Sequence, residues 1–110
     1  MAAFVKGEIV VLPFPFSDLS SSKRRPALVL ADLEGNDVIL CQITSKNTKD
    51  KNAISLLKSD LISGSLLVDS NIRPNRLFTA DKQIIAYTLG KISLTKYREV
   101  TNIISALIAL

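Results

Sequence analysis

Apolar and polar positions alternate in short blocks for most of the chain and change period near residue 93. Four blocks read as strands: Glu8-Ile9-Val10-Val11-Leu12 after Gly7, Ala27-Leu28-Val29-Leu30-Ala31 after Pro26, Val38-Ile39-Leu40-Cys41-Gln42-Ile43, and Ala53-Ile54-Ser55-Leu56-Leu57. Runs of this length, rich in β-branched residues and bounded by Gly, Pro, Asn and Ser, have the strand signature. The first is expected to stop at Pro13 and pass through Pro15 and Ser17-Asp18 into a mobile loop over Leu19 to Lys23.

The second and third blocks flank Glu34-Gly35-Asn36-Asp37, whose Gly and Asn suit the positive φ of a tight turn, so the two are expected to pair as an antiparallel hairpin. Both are almost continuously apolar, which places them centrally in a sheet covered on both faces. A basic polar loop, Ser45 to Asn52, follows. Further short strands are expected around Leu66 to Asp69, Arg76 to Thr79 and Gln83 to Ile92, with one helical turn over Ser59 to Ser63 ended by Gly64. From Ser93 the period becomes helical: Leu94, Tyr97, Val100, Ile103, Ile104 and Leu107 share a stripe, with Ser93 or Thr95 available as N-cap. The expected fold class is therefore mainly β, with one C-terminal helix packed on the sheet and one short helical turn.

Length and composition narrow this picture. The 110 residues fit one domain, taken as 1–110, and 47% apolar with 22% charged residues is ordinary globular usage. The net charge of +4 is unevenly distributed, with four bases against two acids over residues 1–30, four against five over 31–60, and six against three over 61–110. The surplus falls in the segments that carry Arg25 and Arg73, which suits an anionic partner. A single cysteine, Cys41, lies within an apolar run and cannot form an internal disulfide. With no signal-peptide pattern and no apolar run approaching the ~20 residues that span a bilayer, the expected location is the cytoplasm, with no membrane partner. Histidine is absent, which removes the commonest general base and metal ligand. Asp18, Asp60, Asp69 and Asp81 are scattered without the spacing of a metal site, so neither metal nor cofactor is expected.

Three constellations carry chemistry. Lys23-Arg24-Arg25-Pro26 sets three cations where a loop enters a central strand. An arginine held there offers a planar, permanently charged fork to a phosphate, although a basic triplet also fits a solvated loop end. Gln42-Ile43-Thr44-Ser45 ends the partner strand with two hydroxyls, and the hairpin pairing would bring Thr44 beside Arg25. Asp69-Ser70-Asn71-Ile72-Arg73-Pro74-Asn75-Arg76 adds two guanidiniums around a proline, either as an exposed basic turn or as a second wall of an anion site.

In order and spacing, Lys6-Gly7-Glu8-Ile9-Val10, Arg25-Pro26-Ala27-Leu28-Val29-Leu30, Gln42-Ile43-Thr44-Ser45, Asp69-Ser70 through Arg73, and Gly90-Lys91-Ile92-Ser93 before the helix resemble the PemK/MazF family of toxin endoribonucleases from toxin–antitoxin pairs. The resemblance runs from Lys6 to the terminal helix. It implies an SH3-like small barrel with a C-terminal helix, a homodimer, cleavage of single-stranded RNA at short sequences, and inhibition by an antitoxin whose acidic tail covers the RNA groove. Residue by residue it implies Arg25, Thr44, Ser45 and Arg73, of which Arg25, Thr44 and Arg73 are expected to be catalytic; the basic and polar constellations add Lys23, Arg24, Ser70, Asn75 and Arg76, expected with Ser45 around the phosphates. Asn75 stands where part of the family has an aspartate, and the histidine some members use has no counterpart, so the resemblance names no general base here. Two other readings fit the same residues: a barrel that binds RNA or DNA without cutting, and a gyrase poison built on a related barrel. The Arg-Pro and Thr-Ser pairs point to the ribonuclease branch.

Overall fold

The computed structural model describes residues 3–14, 23–46 and 48–110; the expected loop over Leu19 to Lys23 lies, but for Lys23, outside them. Seven described strands form one antiparallel sheet: β1 (Glu8–Phe14), β2 (Lys23–Asp32), β3 (Asp37–Thr44), β4 (Ile54–Leu56), β5 (Leu61–Gly64), β6 (Ser70–Asp81) and β7 (Tyr87–Ile92). A helix, α1 (Leu94–Ile108), follows. The strand order β4-β6-β3-β2-β1-β7-β5 puts β2 and β3 in the interior, and the sheet curls into a half-barrel.

The continuous apolar runs are explained by two clusters, one on each face. Ile9 on β1, Leu28 on β2 and Cys41 and Ile43 on β3 point into a cluster that Val100 of α1 completes. Their neighbours Val10, Leu12, Phe14, Ala27, Val29, Val38 and Leu40 point the other way, into a second cluster with Ala80. Successive strand residues face opposite sides, so a strand covered on both faces is apolar at every position. On α1, Tyr97, Val100, Ile103 and Ile104 face the first cluster, whereas Leu94 and Leu107 of the expected stripe are exposed. Ser93 caps the helix, accepting from the Lys96 amide at 3.2 Å.

Several boundaries differ from the expectation. Strand β1 runs through Pro13, because beyond Val11 its β7 side has no partner and no N–H is needed there. Strand β2 likewise starts at Lys23 rather than after Pro26, its β3 partner beginning only at Ala27. In the hairpin turn Gly35 alone has positive φ (+83°), and Asn36 does not. The turn over Ser59–Ser63 is instead a 3-10 turn at Lys58–Asp60, followed by strand β5, and a second 3-10 turn, Lys82–Ile84, delays β7 to Tyr87. Leu66 to Asp69 is not a strand. Most consequentially, the polar segment Ser70 to Arg76 is strand, not an exposed turn. Cys41 pairs with Leu77 but Gln42 with Arg73, so Pro74, Asn75 and Arg76 are extra residues of a wide bulge, which accommodates the proline inside β6.

Candidate functional site

Arg25 is placed by its strand partners. It stands opposite Leu12 of β1, a fully buried residue, so its backbone is anchored in the sheet while its side chain is half-buried. On its other side the β2–β3 ladder ends at the pair Ala27–Gln42, and Arg25 and Thr44 lie just beyond that end. Both line one cleft of about 300 Å³, together with Arg24, Ser45 and Ser70. The rest of the lining is apolar or aromatic: Val11, Pro26, Ile43, Leu66, Leu67, Val68, Leu89 and Tyr87.

The cleft is cationic. No described carboxylate lines it, and the ion pairs among the described residues involve only Arg73 with Asp50, Lys82 with Asp32, and Lys96 with Asp60 and Glu99. Arg24 and Arg25 therefore keep their charge uncompensated by any described acid. The Thr44 hydroxyl accepts from the Lys46 amide at 3.2 Å, which fixes the oxygen and leaves its hydrogen available to donate. Ser70 is buried and its hydroxyl donates to the Val68 carbonyl at 3.0 Å, shaping the wall rather than offering a free group.

The structure does not bring the remaining expected site residues into this cleft. Lys23 is exposed at the start of β2 and is not part of the lining. Arg73 turns to Asp50, its Nε donating at 3.2 Å to a carboxylate that also accepts from the Asn52 amide at 2.9 Å. The Asn52 amide above all, then the Arg73 and Asn75 side chains, hold the Asp50 carboxyl below the ordinary carboxylate range against the opposing effect of burial. Asn71 donates to the Lys46 carbonyl at 3.4 Å. Asn71, Arg73 and Asn75 thus fasten the chain that leaves β3 at Thr44, and the second wall expected from Arg73 is a latch on that loop. Arg76, pushed out by the bulge, borders a separate cavity with Gln42, Leu77 and Phe78.

Sequence reasoning missed Tyr87 and Asp50. Tyr87 reaches the cleft because it pairs with Val11, which on its other side pairs with Pro26. A bulge between Ile9 and Val10 sets that register, and no local motif announces it. Asp50 was one acid in a basic loop. Among the described residues no three His, Cys, Asp or Glu side chains converge as a metal site would need. Among the described residues no helix is long and apolar enough to cross a membrane.

Similar architectures occur among solved structures. The MazE–MazF complex from Deinococcus radiodurans superposes with a TM-score of 0.80 at 20% identity, covering 99% of each chain. MazF from the same organism gives 0.77 at 21% over the whole of both chains. A mycobacterial endoribonuclease in complex with its cognate antitoxin gives 0.75 at 12%, covering 98% of this chain and 97% of that one. At these identities the likeness is one of fold. No curated protein matches the sequence. The sequence model of one family, however, matches residues 5–108, the span that holds the sheet, the Arg25 cleft and the helix, and the chain accordingly belongs to the PemK-like, MazF-like toxins of type II toxin–antitoxin systems.

Proposed function

We propose that this toxin is an endoribonuclease that cuts single-stranded RNA at short sequences, with residues 1–110 as one catalytic domain. The observation that carries the reading is Arg25, with no described acid beside it, held next to Thr44 and Ser45 in one cleft of a chain from this family. The reaction is attack of a ribose 2′-oxygen on the adjacent phosphorus. The bond from phosphorus to the 5′-oxygen breaks, leaving a 2′,3′-cyclic phosphate and a 5′-hydroxyl. Arg25 neutralises the charge that builds on the phosphoryl oxygens, and the Thr44 hydroxyl and Ser45 orient them. The 2′-proton leaves to solvent or to a group outside the described lining, and the 5′-oxygen takes a proton from water while Arg25 keeps its charge.

This chemistry requires no metal. It acts in the cytoplasm as a homodimer, and a cognate antitoxin with an acidic tail blocks it by competing for the cationic cleft. The solved MazE–MazF complex and the antitoxin-bound mycobacterial endoribonuclease support that partner.

Incubating the purified protein with a long RNA in EDTA tests the reading. Cleavage is expected, and Arg25→Ala should slow it by about 10²–10³, the range for removing a charge-stabilising donor. RNA left intact by the wild-type protein, or cut equally well by Arg25→Ala, rules it out. The absence of any carboxylate or histidine from the described lining favours one competing reading, a toxin-like module that binds RNA without cutting. Its signature would be binding that weakens steeply with salt while the RNA stays whole.

A further inference from the structure

The Arg25 cleft has two chemically distinct halves, and phosphate chemistry uses only one. The same lining holds large apolar side chains that the fold leaves in water: Leu67 at 88% exposure, Val68 at 53% and Tyr87 at 50%. Exposed apolar side chains grouped at a cavity mark a binding surface rather than chance exposure. Tyr87 is the rigid member. It lies on β7 and pairs with Val11, which pairs in turn with Pro26, so Tyr87, Val11 and Pro26 form one row across three strands. Two strand spacings of about 4.8 Å place the Tyr87 backbone about 10 Å from that of Pro26, the residue next to Arg25.

We infer that this half is a subsite for one unstacked base, with Tyr87 as its stacking platform and the phosphate of the same nucleotide on Arg25. The occupant follows from charge and shape together. Two arginines without a described acid partner, Arg24 and Arg25, line the same cavity of about 300 Å³ as the apolar and aromatic residues, and together these complement a group that is anionic at one end and flat and apolar-faced at the other. Single-strand binding sites are built this way, from a basic track and aromatic side chains on which bases stack. A base in a duplex keeps its faces covered by its neighbours and cannot use Tyr87, so the subsite selects unpaired RNA. Tyr87 is in this sense a specificity-determining residue. The inference rests on the proposed action on RNA.

The test uses the full-length protein and a non-cleavable 2′-O-methyl single-stranded RNA oligomer, with a matched series carrying one abasic nucleotide at each position in turn. Tyr87→Ala is expected to weaken binding on the order of tenfold or more, while Tyr87→Phe and Tyr87→Trp stay close to wild type. One abasic position should cost the wild-type protein the same factor and cost Tyr87→Ala almost nothing further. The salt dependence should be unchanged in Tyr87→Ala and shallower in Arg25→Ala, because only the latter loses a phosphate contact. Binding by Tyr87→Ala within twofold of wild type overturns the subsite even if the wild-type protein cuts RNA. Tyr87-dependent binding without any cleavage upholds the subsite and removes the nuclease reading. Tyr87→Ala that binds RNA normally but loses the antitoxin identifies the patch as a protein-docking face and overturns the inference. No RNA binding by the wild-type protein overturns both.

Discussion

Val100→Ala separates the support of the site from the site itself. Val100 is the one fully buried residue of α1 and packs with Ile9, Leu28, Cys41 and Ile43, the interior of the strands whose ends carry Arg25 and Thr44. Truncation removes two buried methyl groups, about 1.6 kcal/mol at ~0.8 kcal/mol each. The cavity left under a helix that cannot collapse fully adds up to about 1 kcal/mol. The expected loss is about 1.5–3 kcal/mol, a substantial part of the roughly 5–15 kcal/mol by which domains are stable. With a urea slope of about 1–3 kcal/mol/M, the unfolding midpoint followed by far-ultraviolet circular dichroism should fall by on the order of 1 M with unchanged slope. Leu107→Ala, at the exposed end of the helix, should move it little. Under conditions where both proteins are folded, RNA cleavage by Val100→Ala should equal wild type, whereas Arg25→Ala should retain its midpoint and lose cleavage. A loss below about 0.5 kcal/mol would refute the packing of α1 on this cluster. Normal stability with impaired cleavage would refute the division of labour.

Three other outcomes follow from the same structure. A Cβ at Gly90 would lie 2.3 Å from the Ser63 carbonyl oxygen and 3.1 Å from the Gly64 Cα, so Gly90→Ala should cost about 1–3 kcal/mol and open the β5 edge to limited proteolysis. The Asp50 carboxyl is held low in the folded chain, so it stabilises the fold above the ordinary aspartate value near 3.9 and loses that effect as the pH falls through its folded value. Melting temperatures of wild type and Asp50→Asn, compared from pH 7 down to pH 2, should differ most near neutrality and converge in acid; parallel curves would show that the latch contributes nothing. Burial pushes the Cys41 thiol up to about 12, so the native protein should resist a disulfide reagent at pH 8 and react only as it unfolds. Fast labelling of folded protein would contradict its placement in the core.

What local pattern could determine, it did. The paired runs of β2 and β3 lie on either side of a turn containing Gly35, so that they pair follows from neighbouring residues, although a bulge between Val29 and Ala31 sets the exact register that carries their ends toward Arg25 and Thr44. The helical stripe from Ser93 is equally local, and family motifs spread along the chain pointed to the fold. Tertiary structure decided the rest, because pairing between distant strands depends on bulges that no short window reveals. Three extra residues at Pro74 to Arg76 turn an apparent basic loop into strand β6. They leave Arg73 with Asp50 instead of the cleft. The β1–β7 pairing, across some eighty residues of chain, brings Tyr87 into the same row as Val11 and Pro26. The sequence alone thus determined which strand ends carry the charge and hydroxyls, since hairpin geometry is local. Which distant side chains complete or leave that site was decided by sheet register, which the whole core sets at once.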